Sequence, residues 1–152
     1  MLENAFQGFN TCIFAYGQTG SGKSYSIAGY GENKGIVPLL CEELFKRAER
    51  ETKKGVPNGK RTEFRVTFSM LEIYNEVLQD LQVMERDRIK DGLKVRDRGD
   101  GTYVEGLKVI PCSSWAEMEM LQDMGNKNRT LGQTLMNATS SRAHTVNQIE
   151  FR

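Results

Sequence analysis

The sequence predicts an α/β domain, and three observations predict it. A short apolar run, "TCIFAY" at 11–16, leads straight into a glycine-rich segment, the pattern of a buried strand feeding a loop. At 62–70, "TEFRVTFSM" alternates, with Phe64, Val66, Phe68 and Met70 on one face and Glu63, Arg65, Thr67 and Ser69 on the other. That is the two-residue period of a strand. Elsewhere apolar residues recur at helical spacing: Leu40, Cys41, Leu44, Phe45 and Ala48, then Trp115, Met118, Leu121 and Met124. Strands alternating with helices give a sheet flanked by helices.

Taken in order, the first strand at 11–16 is followed by a loop and a helix start. The next helix begins near Pro38, which is tolerated in a first turn, and is expected to reach about Lys53 and stop before Gly55 and Pro57. The strand at 62–70 continues through "LEIYNE". Two shorter strands, 93–97 and 102–110, flank the turn-prone Gly99-Asp100-Gly101 and read as a hairpin. Ser114 with Glu117 is a capping box, so a helix begins near 115 and is expected to weaken around Gly125. The end, "TVNQIEFR", alternates as a strand. No repeats, low-complexity tracts or linkers occur.

A chain of 152 residues fits one domain and is long enough to bury about 70% of the surface its unfolded form exposes. Lys+Arg (21) nearly cancels Asp+Glu (20), so net charge points to no partner, nucleic acid included. Cys12, Cys41 and Cys112 are odd in number, widely spaced and flanked by apolar residues. They read as mostly buried, reduced thiols of an intracellular protein. No apolar run reaches the ~18 residues of a membrane span. Met1-Leu2-Glu3-Asn4 lacks the basic region and apolar stretch of a secretory signal. Asn137-Ala138-Thr139 and Asn128-Arg129-Thr130 match the N-glycosylation acceptor, but without that signal the sugar reading has no compartment.

The strongest motif is Gly17-Gln18-Thr19-Gly20-Ser21-Gly22-Lys23-Ser24, which fits G-x-x-x-x-G-K-[ST] at every fixed position. Glycines let successive backbone N–H groups turn towards phosphate oxygens, and a helix start adds its positive end. The lysine then reaches the β- and γ-phosphates, and the Ser24 hydroxyl ligates Mg²⁺. Tyr25, one residue on, has two readings, a ring stacked on a nucleotide base or a ring packed on the sheet. An acid to hold the metal's water is missing: Asp80 and Asp97 are the nearest, and neither ends a long buried strand. The chain therefore carries half of a catalytic site.

These residues resemble the kinesin motor domain over essentially the whole chain. "GFNTCIFAYGQTGSGKSYSIAG" (8–29), "LEIYNEVLQDL" (71–81) and "GNKNRTLGQTLMNATSSRAH" (125–144) carry the likeness, and "GKSYS", "LKVRDRGDGTYVEGL" and "GNKNRT" are closest to the vesicle-transporting kinesin-three group. The resemblance implies a P-loop NTPase with a central mixed β-sheet flanked by helices, truncated at both ends. An arginine-proline segment beside adenine is expected upstream of Met1, and a second switch with its central strand downstream of Arg152. Loss of that strand would leave two central edges unpaired.

The family pattern N-x-x-S-S-R-S-H falls on Asn137, Ser140, Ser141, Arg142, Ala143 and His144. By resemblance this loop closes over the γ-phosphate, with Ser140 and Ser141 serving Mg²⁺, phosphate and the attacking water, and Arg142 pairing with a glutamate of the second switch. Ala143 stands where serine is usual, which implies altered closure of the loop. Tyr25 falls where the family places a ring against adenine, and His144 is given no proton-transfer role. The implied activity is a microtubule-stimulated ATPase that couples ATP hydrolysis to movement, acting on the cytoplasmic cytoskeleton with no membrane contact from this segment. Lys94, Arg96 and Arg98 would face acidic tubulin, although Asp97 and Asp100 are interleaved with them and a charge-balanced solvated hairpin reads equally well. A passive, nucleotide-gated microtubule binder is the second reading, with Ala143 as its hint. A P-loop GTPase or small-molecule kinase is the third, and it lacks the motifs those enzymes need.

Overall fold

The structure, a computed structural model, describes residues 1–54, 63–99, 101–135 and 143–152, with backbone alone for 130–135. The chain divides into two compact units, Met1–Phe64 and Arg65–Arg152.

In the first unit, helix α1 (Leu2–Phe6) leads to the phosphate-loop segment, helix α2 (Lys23–Ile27), the two-stranded β1 (Gly29–Tyr30) and β2 (Asn33–Lys34), and helix α3 (Ile36–Lys54). Helix α3 matches the expectation. Cys41, Leu44 and Ala48 form its buried stripe, Glu42 pairs with Lys46 in the favourable i,i+4 order, and Lys53 and Lys54 sit in the last turn, where the helix dipole favours cations. Arg47 holds α1 by an ion pair with Glu3 at 2.7 Å while its guanidinium lies 4.2 Å from the centre of the Phe6 ring.

The expected strand at 11–16 is not formed. Residues 9–17 carry no regular structure, and Phe14 and Tyr16 are 82% and 95% exposed. A strand exists only through its ladder. No described strand pairs with this run, so its apolar, β-prone composition finds no partner.

In the second unit, strand β3 (Val66–Tyr74) is central. Strand β8 (Ala143–Phe151) pairs antiparallel with it from Val66↔Phe151 to Tyr74↔Ala143. The opposite edge is shared by β4 (Val77–Asp80), against Leu71–Tyr74, and β7 (Ile110–Cys112), against Val66–Phe68. Asn75 and Glu76, with φ of 48° and 63°, make the two-residue turn between β3 and β4, so "LEIYNE" ends its strand at Tyr74. Ser69 on the polar phase is buried as well as Phe68 and Met70. Every ladder among the described residues is antiparallel.

Strands β5 (Lys94–Asp97) and β6 (Thr102–Glu105) form the expected hairpin. The run 102–110 is broken after Glu105 by Gly106, and its last residue begins β7 in the larger sheet. Of the three thiols, Cys41 and Cys112 are buried and Cys12 is exposed. Burial, with the nearby Glu117 carboxylate, pushes the Cys112 thiol above its ordinary range.

Helix α4 (Trp115–Leu135) starts at the Ser114/Glu117 pair, with Glu117 N–H donating to Ser114 Oγ at 3.2 Å as in a capping box, while Glu117 Oε2 reaches back one residue further and accepts from Ser113 N–H at 2.7 Å. It does not weaken at Gly125. A glycine costs a helix about 1 kcal/mol, but here it is the contact surface: a Cβ at 125 would collide with Met70 Sδ and lie 3.0 Å from Gln82 Nε2. The helix passes through because the glycine lets it approach the sheet. Gly125→Val is expected to destabilise the unit by about 1–3 kcal/mol through overpacking, measured by urea unfolding; an unchanged midpoint would mean that the contact has slack.

Candidate functional site

The phosphate-binding motif forms a compact turn whose shape follows from its glycines. Gly17, Gly20 and Gly22 have φ of 152°, 81° and 85°, the region L side chains rarely enter. At Gly17 space is short too, since a Cβ there would lie 2.6 Å from Ser21 Oγ. Ser21 N–H donates to Gln18 O at 3.2 Å and closes the turn. Lys23 Nζ donates to Gly17 O at 2.7 Å and Gln18 O at 2.6 Å. The ammonium is thus held over the loop by two carbonyls, and helix α2 starts directly from Gly22.

An anion fits this arrangement. The Lys23 cation is preplaced, and the first N–H groups of α2, which have no acceptor within the helix, belong to the same few residues. Ser24, in the first turn of α2, supplies a hard oxygen of the kind Mg²⁺ takes. Among the described residues no cluster of three or more His, Cys, Asp or Glu side chains is placed to hold a metal. The two acids weighed from the sequence are otherwise engaged. Asp80 is buried at the end of β4 and accepts from Gln82 N–H and Lys108 N–H, both at 2.7 Å, and Asp97 accepts from Gly99 N–H at 2.8 Å in its hairpin turn.

Tyr25 is 51% exposed, so its ring is not buried against a sheet. Beside it lies a residue that sequence reasoning missed. Tyr30, 65% exposed, places its ring centre 6.2 Å from that of Tyr25 with the planes 30° apart. The β1–β2 hairpin makes this possible: Gly29 approaches Asn33 O and Gly35 N too closely for any Cβ. The signal in the sequence was the spacing of Gly29, Gly31 and Gly35 around the second tyrosine. Lys34 on that hairpin donates to Glu42 Oε2 at 2.8 Å, and Lys46 donates to the other oxygen at 2.7 Å. These bonds, that from Lys34 foremost, lower the Glu42 carboxyl to about 2.

Asn137, Ser140, Ser141 and Arg142, with the acceptor Asn137-Ala138-Thr139, lie outside the described residues. Ala143 and His144 begin β8, opposite Tyr74 and Ile73. On the β5–β6 hairpin, Arg96 bonds Glu105 at 2.9 Å, Arg98 lies 3.9 Å from the centre of the Tyr103 ring and Lys94 is exposed.

The model of the kinesin motor domain matches residues 1–152. The chain belongs to the kinesin motor domain family. It is 48% identical over 153 residues to human "Kinesin-like protein KIF28P", covering 100% of this chain and 15% of that protein. It is 50% identical over 152 residues to "Kinesin-related protein 1" of Dictyostelium discoideum, covering 99% of this chain and 7% of that one. Human KIF13A, at 47% identity, covers 96% of this chain and 8% of its own length, in keeping with the kinesin-three wording of the sequence. Among solved structures, a fast kinesin superposes with a TM-score of 0.85 at 32% identity, over 99% of this chain and 41% of that one. A KIF14 dimer with AMP-PNP on a microtubule gives 0.80 at 40% identity, over 99% and 40%. The chain thus spans 7–15% of the length of these curated relatives and 40–41% of these solved chains.

Gly17→Ala is expected to speed amide hydrogen exchange across 17–24 more than Gly20→Ala does, since nothing stands within 4 Å of a Cβ at 20; equal effects would remove the steric argument. The Glu42 tether has its own signature. A carboxyl lowered from 4.5 to about 2 stabilises fully above the ordinary carboxylate range and loses that contribution as the pH falls towards its folded value. Acidification through this window should loosen the 29–34 hairpin, as Glu42→Gln does at neutral pH, with tyrosine fluorescence as the readout.

Proposed function

We propose that this chain is the phosphate-loop-to-first-switch portion of a kinesin motor domain and the ATP-binding part of a microtubule-stimulated motor ATPase on the cytoplasmic cytoskeleton. The observation that carries the reading is Lys23, fixed by Gly17 O and Gln18 O above a three-glycine turn, in a chain of this family. Lys23 binds the β- and γ-phosphate oxygens, and the backbone N–H groups of 20–24 line the same anion. Ser24 ligates Mg²⁺, joined by Ser140. Tyr25 takes the adenine ring, and Tyr30 beside it widens the aromatic surface.

Residues 137–144 respond to the γ-phosphate, a local charge change that biases a two-state element. Asn137 and Ser141 serve the phosphate and the attacking water, and Arg142 pairs with a carboxylate supplied from elsewhere. Tubulin is met in part through Lys94, Arg96 and Arg98. Solved KIF14 structures bound to microtubules with AMP-PNP and with ADP support this partner.

Ala143 supports a second reading, a nucleotide-gated microtubule binder with little productive hydrolysis, because it removes a hydroxyl usual at that position. Phosphate release by the full-length protein, with and without microtubules, separates the two: strong stimulation excludes the passive binder. Lys23→Ala is expected to weaken nucleotide binding and cut stimulated turnover at least ~100-fold, and near-normal turnover would sink the phosphate-loop assignment. Ala143→Ser should raise hydrolysis or leave it unchanged, and a clear loss would mark the alanine as a matched part of this loop.

A further inference from the structure

Asp80 is a buried carboxylate that the phosphate loop does not use, 5% exposed at the end of β4. Its backbone is fixed by the β3–β4 ladder, where it stands opposite Leu71, and by Leu81 N–H donating to Met70 O at 2.9 Å. Both side-chain oxygens are occupied as well. Oδ1 accepts from Gln82 N–H at 2.7 Å, which closes a turn within its own segment, and Oδ2 accepts from Lys108 N–H, also at 2.7 Å. The second bond is long-range. Lys108 lies three residues beyond the end of β6 at Glu105, so Asp80 holds the chain where the β5–β6 hairpin returns to the larger sheet.

The other foot of that hairpin is held by the same strand. Leu93 is buried, its N–H donates to Leu78 O at 2.8 Å, and the two residues form an isolated antiparallel bridge. Gly92 lets the chain come that close, since at its φ of 76° a Cβ would stand 2.9 Å from Leu78 O. Leu78 and Asp80, alternate residues of β4, thus hold the two ends of one arm, residues 94–107. A single backbone bridge alone would leave the arm a hinge. The charge-assisted bond from Lys108 N–H to Asp80 closes that hinge.

The charges on the arm make its tilt matter. The register sets Lys94 opposite Glu105 and Arg96 opposite Tyr103, so these four side chains share one face, with Val95, Asp97, Thr102 and Val104 on the other. Arg98 joins the first face by lying 3.9 Å from the centre of the Tyr103 ring. Three cations therefore face one way and move together. Arg98 is five residues beyond Leu93, roughly 16 Å along a strand, so a tilt of ~10° at the foot displaces it by roughly 3 Å.

We propose that Asp80 is a positioning residue for microtubule binding, a buried clamp that fixes the direction in which the β5–β6 hairpin presents Lys94, Arg96 and Arg98 to acidic tubulin. This rests on the reading of those three cations as tubulin contacts. A charge array complementary to its partner gains most when its orientation is set before contact, because less freedom is lost on binding. Asp80, being buried, acts only through the arm.

The test uses the full-length motor protein carrying this sequence. Asp80→Asn keeps the size of the side chain but offers one oxygen to two N–H donors, so one of them faces an amide NH2. The microtubule concentration for half-maximal stimulation is expected to rise at least ~3-fold, the scale of losing one exposed charge contact. Maximal turnover, turnover without microtubules and affinity for a fluorescent ATP analogue should stay within about twofold. General destabilisation would instead lower maximal turnover and nucleotide affinity together. Lys108→Pro removes the donor, leaves the carboxylate in place and should produce the same rise. Hydrogen exchange on the unaltered protein needs no variant: the Lys108 amide should exchange at least ~10-fold more slowly than a free peptide amide.

A Lys108 amide that exchanges freely, an unchanged half-saturating microtubule concentration in both variants, or an equal loss of nucleotide affinity would overturn the proposal. The triple variant Lys94→Ala/Arg96→Ala/Arg98→Ala separates its failure from that of the underlying reading. If the triple variant weakens microtubule binding while Asp80→Asn does not, the clamp alone is wrong. Asp80→Asn should add nothing in the triple background, and an additive loss would also overturn the clamp. If the triple variant binds microtubules normally, the arm is not the tubulin contact, and this use of Asp80 falls with it.

Discussion

The second unit depends on one constraint, that β3 is hydrogen-bonded on both edges. Strand β8 occupies one edge over all nine residues of β3, and β4 and β7 divide the other. A strand fixed in this way cannot slide, since a slip of one residue would turn Met70 and Phe68 to the opposite face. The position of α4 follows from it. Met70 projects to where Gly125 passes, and the helix approaches because that residue has no Cβ. Packing against a fixed strand outweighs the glycine's weak helix propensity, as tertiary contacts do in most helices of this length.

The phosphate loop is stabilised differently. It uses little buried surface, and its form is set by backbone dihedrals open to glycine and by one ammonium shared between two carbonyls. Such a loop is local, and neighbouring elements adjust what surrounds it without remaking it. The β1–β2 hairpin adds Tyr30 to Tyr25, and the Lys34–Glu42–Lys46 bonds hold that hairpin to α3.

Two glutamates show how environment assigns a role to one residue type. Glu42 lies on the surface between two lysines and is drawn well below the ordinary carboxylate range. Such contacts contribute modestly in water. Glu72 lies between strand and helix, where burial outweighs Arg129 and Arg88 and its carboxyl is pushed up. The first fits a tether and the second a charge retained at some cost in stability.

Much was legible in the sequence because it is locally encoded. Helix α3, the capping box of α4, the alternation in β3 and the hairpin at 94–105 are written in periods and turn residues that act over a few positions. The phosphate loop is likewise fixed by its own glycines and lysine, and the family by the wording of the whole chain. Tertiary structure decided the rest. "TCIFAY" has every local preference of a strand, yet it is none without a ladder. Gly125 has the local character of a helix end, yet it lies mid-helix against Met70. Tyr30 reached Tyr25, and Glu72 reached Arg129, across separations no period records. The physical reason is common to all four. Propensity acts through one residue's own backbone and near neighbours, whereas ladders, close approaches and buried charge pairs depend on what the fold places alongside.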